Sequence, residues 1–99
     1  VNILREYETM YVLRPDLEAE RQQELLDRFT AVVADRGAQV SESGVWGKRR
    51  LSYEIDGHRE GVYVLMKYSA ATDVSFELER LFRISDDVLR YLTIRTDAV

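Results

Sequence analysis

The stretch Trp46-Gly47-Lys48-Arg49-Arg50-Leu51-Ser52-Tyr53 holds the only tryptophan and the only run of three consecutive basic residues in the chain. Three adjacent cations repel one another, so they call for an anionic partner or for free exposure to water. Arginine matches phosphate oxygens through its paired donors. Tryptophan and arginine are also the residues most enriched where proteins grip their partners. On a strand, Lys48 and Arg50 point one way and Arg49 the other, so such a segment presents two contact faces. The competing reading is a solvated strand edge that uses charge to discourage strand-to-strand association.

The remaining reactive residue types do not assemble into a catalytic set. His58 is the sole histidine, next to a turn between Gly57 and Arg59, without companions for acid–base or metal chemistry. Asp86-Asp87 is a carboxylate pair that reads as a turn between a helix and a strand. There are no cysteines, hence no disulfide, thiolate metal site or cysteine nucleophile. The first strand runs into Arg14-Pro15-Asp16 and not into a phosphate-cradling glycine loop. An RNA reader that stacks bases on its third strand needs a basic-Gly-aromatic-small-aromatic pattern; Glu60-Gly61-Val62-Tyr63-Val64-Leu65 supplies only Gly61 and Tyr63. The expectation is a non-enzyme without metal or cofactor.

The chain has 99 residues and a net charge of −4, enough for one core and too acidic to coat nucleic acid by its overall field. Any nucleic-acid contact must come from a local patch. No apolar run approaches the roughly 20 residues of a membrane span, and no secretory signal is visible. A single domain over 1–99 is expected, with short tails at 1–4 and 96–99.

The elements that would position the basic run follow from periodicity. Arg5–Leu13 alternates as a strand, with Tyr7, Thr9, Tyr11 and Leu13 on one face and Glu6, Glu8, Met10 and Val12 on the other. Leu17–Arg36 is an amphipathic helix with Leu25, Leu26, Phe29, Val32 and Val33 as its stripe, Asp16 as a capping acceptor and Gly37 closing it. Ala38–Ile55 is a long strand whose pattern must slip once, at Gly44 or Gly47. Asp56-Gly57 marks a hairpin turn, and Gly61–Ala70, apolar on both faces, is a central strand. Thr72 and Asp73 offer cap chemistry for a helix lined by Val74, Leu78, Leu81 and Phe82 and ending near Arg83. Val88–Arg95 is the fourth strand.

The order βαββαβ predicts an α+β, ferredoxin-like split βαβ sandwich, with a four-stranded antiparallel sheet and two helices on one face. Met10 and Val12 then help to leave the other face partly apolar, and a sheet face without cover usually means a partner.

Four blocks in order now carry a resemblance over nearly the whole chain. They are Arg5-Glu6-Tyr7-Glu8-Thr9-Met10-Tyr11-Val12-Leu13-Arg14-Pro15, Trp46–Ile55, Arg59-Glu60-Gly61-Val62-Tyr63 and Ile84-Ser85-Asp86-Asp87-Val88-Leu89-Arg90-Tyr91. The sequence is similar to the bacterial small-subunit ribosomal protein S6 family. It departs at Ser52, where alanine is commoner, and at Thr9 and Thr93, where apolar residues are common. The resemblance implies a structural protein of a cytoplasmic ribosome, bacterial or organellar. It would bind the central domain of 16S ribosomal RNA as a heterodimer with ribosomal protein S18 during assembly of the subunit's platform. By motif it nominates Arg5, Tyr7, Lys48, Arg49, Arg50 and Arg90 for RNA contact. Trp46, Met10 and Val12 are nominated for the partner protein. The alternative is a ferredoxin-like protein–protein regulatory module that binds no RNA and associates through its sheet.

Overall fold

A computed structural model describes residues 4–96. The elements are β1 (Arg5–Leu13), α1 (Ala19–Asp35), β2 (Gln39–Ile55), β3 (His58–Ala70), α2 (Thr72–Ile84) and β4 (Val88–Arg95). All strand pairs are antiparallel, in the order β2-β3-β1-β4, as the βαββαβ pattern predicts. Of the expected tails, residues 1–3 and 97–99 lie outside the described residues. Thr96 is tied in, its amide donating to the Glu6 carbonyl at 2.9 Å.

Strand alternation decides what the helices cover. Tyr7, Thr9, Tyr11 and Leu13 on β1 sit opposite Tyr68, Met66, Val64 and Val62 on β3, and all eight are buried. Against them pack Leu25, Leu26, Phe29 and Val33 of α1 and Val74, Leu78 and Phe82 of α2. Tyr11, Phe29 and Phe82 meet with ring centroids 4.8–5.4 Å apart, and Tyr91 joins Phe82 at 5.3 Å. Such pairs add to the stabilisation from burial alone.

Three turn features come straight from residue type. Gly37 takes φ +90°, its amide donates to the Ala34 carbonyl, and the Ala38 amide reaches back to Val33. That is the paired closure by which a glycine ends a helix. Asp56 and Gly57 both have positive φ and join the Ile55–His58 pair, a two-residue turn whose twist suits a hairpin. The expected side-chain caps are absent. The α1 cap is Glu18 and the α2 cap is Ala71, neither with a side-chain bond. Asp16 pairs instead with Arg14 at 3.6 Å, and Thr72 accepts a hydrogen bond from the Tyr7 hydroxyl at 3.2 Å.

Thr9 and Thr93, the two family departures, face each other across β1 and β4 and are bonded hydroxyl to hydroxyl at 2.9 Å. Tyr68 completes the chain at 2.9 Å from the fully buried Thr9 hydroxyl. The two departures satisfy one another. The Tyr11 hydroxyl is different: it is buried with no hydrogen-bond partner among the described residues. Burial, with the charge of Asp27 adding to it, pushes that phenol far above its ordinary range. Tyr11→Phe keeps the ring contacts and removes a group that lost its water on folding. It is expected to raise stability by about 1 kcal/mol, read as a higher urea midpoint with unchanged slope; a clear loss would show that the hydroxyl is bonded.

Asp87, in the turn before β4, is 13% exposed at its side chain. It accepts from Arg14 at the exit of β1 and, at 3.0 Å, from Arg21 on α1, while its carbonyl accepts from the Arg14 amide at 2.9 Å. Burial pushes the carboxyl up, but the bonds from both arginines outweigh it and hold its pKa below the usual carboxylate value. A folded-state pKa that is depressed stabilises the fold above the unfolded value and is lost as pH falls through the folded one. Asp87→Asn is therefore expected to cost about 1 kcal/mol at pH 7 after solvent screening. Urea midpoints of variant and wild type should converge as pH falls below about 4. A gap that persists in acid would assign the effect to packing.

Candidate nucleic-acid and partner interface

β2 is a long edge strand, fastened to α1 by the Thr30–Ser43 hydroxyl pair at 2.8 Å. Its pairing with β3 is broken in three places, between Val40 and Glu42, Val45 and Gly47, and Arg50 and Ile55, where one slip was expected. Trp46 is the additional residue of the middle break, 51% exposed, and Gly47 follows it at φ +117°, a backbone that disfavours side chains. Such a break bends the strand and re-aims what comes after it.

What comes after is the basic run. Lys48, Arg49 and Arg50 pair with Val62, Gly61 and Glu60, and all three are exposed. They alternate as expected: Lys48 and Arg50 share the helix-side parity of Val62, Arg49 the opposite one. No carboxylate lies within ion-pair distance of any of the three among the described residues. By contrast Arg14, Arg21, Arg36, Arg59, Lys67 and Arg80 are all neutralised locally.

Between Arg50 and Ile55, four residues of β2 face only Arg59 of β3. The surplus chain folds over the face opposite the helices. Leu51 is 8% exposed and lies against Gly61, where Val12 also packs. Beyond it Tyr53, 61% exposed, meets Arg90 of β4, whose guanidinium lies 5.9 Å from the ring centroid and whose Nη1 is 3.5 Å from the hydroxyl. A notch of about 230 Å³ opens between Arg50, Ser52, Tyr53 and Arg59.

The nominated residues separate accordingly. Lys48, Arg49, Arg50 and Arg90 converge on one end of the molecule. In register, Arg90 faces Val12, Val12 faces Tyr63 and Tyr63 faces Gly47, one row across all four strands. Arg5 pairs with Ala70 at the far end of β1, eight positions and about 27 Å away from Leu13. Tyr7 does not join the surface, since it is 8% exposed and stacks on Tyr68 at 5.6 Å within the helix-side core. Val12 lies on the open face as expected but is 2% exposed, covered by the chain itself, whereas Met10 stays partly accessible. Motif reasoning missed Tyr53 and Arg59, which depend on how β2 bends; their signal was the aromatic and the arginine on either side of the Asp56-Gly57 turn.

His58 pairs with Ile55 at the turn and converges with no second candidate for acid–base work. Among the described residues no group of three or more His, Cys, Asp and Glu could hold a metal ion. Fold and site together give a class defined by architecture and charge, a ferredoxin-like α+β sandwich with an exposed basic run on its long edge strand.

Comparison with known proteins gives that class its family. The model of the family described as ribosomal protein S6 matches residues 6–95. A small ribosomal subunit protein bS6 from Caldanaerobacter subterraneus is 52% identical over 95% of this chain and 99% of its own length. The bS6 of Desulforudis audaxviator is 48% identical over 95% of this chain and 100% of its own. Among solved structures, the 30S ribosomal protein S6 of Thermotoga maritima superposes with a TM-score of 0.88 at 25% identity, covering 95% of this chain and 89% of that one. The chain belongs to the ribosomal protein S6 family. Its role is that of a structural constituent of the small ribosomal subunit and not an enzyme; in bacteria, the source of these relatives, that subunit is cytoplasmic.

Proposed function

We propose that this chain binds the central domain of 16S ribosomal RNA together with ribosomal protein S18, as a heterodimer formed during platform assembly. The observation that carries the reading is the arm of β2. It holds three adjacent cations, all exposed and all without a carboxylate partner among the described residues, in a member of a ribosomal family. Lys48, Arg49 and Arg50 contact phosphates, with Arg90 behind Tyr53 at the same end. Trp46 and Met10 belong to the partner side. Arg5 is a separate contact at the other end of the sheet, and the buried Tyr7 and Val12 support the surface from beneath. The rival, a regulatory module without RNA binding, would leave the bare cations as a solubility device; family membership favours the ribosomal reading.

An electrophoretic shift with central-domain RNA tests it. The chain with S18 is expected to retard the RNA at concentrations where either protein alone does so weakly or not at all. No shift with both proteins present would overturn the proposal.

A further inference from the structure

The notch beside Tyr53 is lined by side chains that suit an anion. Arg50 has no carboxylate within ion-pair distance among the described residues. Arg59 is met only by Glu54, at 3.9 Å among the described residues, an exposed pair too weak to hold it against a better anion. The Ser52 hydroxyl makes no hydrogen bond among the described residues, and the buried Leu51 closes the inner wall. Arg50 and Arg59 also border a second hollow of about 290 Å³, together with Glu60. Two arginines thus stand between two adjoining depressions.

Tyr53 gives the notch a flat apolar side. Its ring is largely exposed, and the one cation against it, Arg90 at 5.9 Å from the centroid, does not line the notch. An aromatic ring steadied by a cation and otherwise open is a platform on which a planar base stacks. β3 lacks the pattern that stacks bases on a sheet. Tyr53 stands outside the β2–β3 register and supplies a stacking surface from the arm instead.

We propose that this notch holds one unstacked nucleotide of the RNA, its base against Tyr53 and its phosphate between Arg50, Arg59 and the Ser52 hydroxyl. The inference rests on the RNA reading above and deepens it by naming the form of RNA that the arm takes. A base inside a continuous duplex is covered on both faces and cannot reach the ring, so the arm meets the RNA at a bulge, loop or junction. Stacking tolerates any base, and Tyr53 therefore selects for an exposed nucleotide and not for a sequence. A free nucleotide fits poorly, because at about 230 Å³ the notch is open and smaller than the roughly 300–1,000 Å³ of small-molecule pockets. A polynucleotide also engages Lys48 and Arg49 and runs on into the second hollow.

Gel shifts of central-domain RNA with S18 present, repeated over a salt series, test the assignment on variants checked for fold by circular dichroism. Tyr53→Ala is expected to weaken binding about tenfold without changing the slope of log affinity against log salt, because stacking releases no counterions. Tyr53→Phe should stay within about twofold of wild type, and Ser52→Ala should lose about threefold. Arg59→Ala should remove about one unit of slope. Ultraviolet cross-linking followed by trypsin, which cuts after Arg50 and Arg59, should leave a nucleotide adduct on peptide 51–59. A folded Tyr53→Ala chain within about twofold of wild type would overturn this inference and leave RNA binding standing. A Tyr53→Ala loss carried by a shallower slope would make the ring a support for Arg90 and overturn it too, as would adducts confined to other peptides. A wild-type chain that shifts no RNA with S18 would overturn the RNA reading itself and this inference with it.

Discussion

Gly61→Ala is expected to cost about 3 kcal/mol and to lower the melting temperature by about 15 °C. A Cβ at this position would collide with a Val12 methyl and stand 3.3 Å from the Leu13 carbonyl oxygen. The valine cannot yield: it is β-branched, stiff at its first torsion, and 2% exposed. β1 cannot yield either, since β3 and β4 hold it on both sides. Restoring room with Val12→Ala in the same chain should recover part of the loss, a coupling that a double-mutant cycle isolates. If Gly61→Ala stayed within 1 kcal/mol of wild type, the β1–β3 spacing would be softer than the geometry implies. Because Gly61 is also the register partner of Arg49, the same change is expected to disturb the basic run. The glycine of Arg59-Glu60-Gly61-Val62-Tyr63 thus serves the close packing of β3 on β1.

Lys48→Ala/Arg49→Ala/Arg50→Ala is expected to weaken RNA binding on the order of 100-fold at 0.1 M salt while leaving the fold intact. Each phosphate neutralised by a protein cation releases bound counterions, a term that scales inversely with salt concentration. Three contacts give a slope of log affinity against log salt of about −2 to −3, and the triple variant should lose that much slope. The three side chains are exposed and lack ion pairs among the described residues, so their truncation strands no buried carboxylate. Gel shifts over a salt series, with S18 present throughout, read both quantities. An unchanged slope would remove the run from the RNA interface and move the phosphate contacts to Arg90 or Arg5.

Much of this architecture is written in period-two and period-3.6 patterns. β1 begins and ends where alternation places it, β4 spans the expected Val88–Arg95, and Gly37 and Asp56-Gly57 do the turning their backbone freedom allows. Tyr7 shows how the alternation could outrank a motif. The family block nominated it for contact, yet its parity with Tyr11 and Leu13 already set it on the covered face. β2 resisted because three breaks in one strand reset the parity three times, and each depends on what β3 presents opposite. The caps failed for a related reason. Asp16 and Thr72 have the right chemistry, but Arg14, two residues before Asp16, and Tyr7, far from Thr72 in sequence, claim their oxygens. Within the site, the exposure of Lys48, Arg49 and Arg50 was legible from their charge. The meeting of Tyr53 with Arg90 was not, since it needs the surplus residues after Arg50 to lie across two intervening strands.

The position of β1 has a further consequence for how the protein is made. β1 is synthesised before the other three strands of its sheet, yet it pairs with β3 and with the latest of them, β4, its Tyr7 opposite Arg95. At about 5–20 residues per second, synthesis leaves it without β4 for several seconds. The β2–β3 hairpin needs no such wait, because its Asp56-Gly57 turn joins adjacent segments and hairpins close in about 1–10 μs. Marginal as an isolated hairpin is, the arm that carries the three cations is sampled on the nascent chain well before the sheet that will hold it is complete.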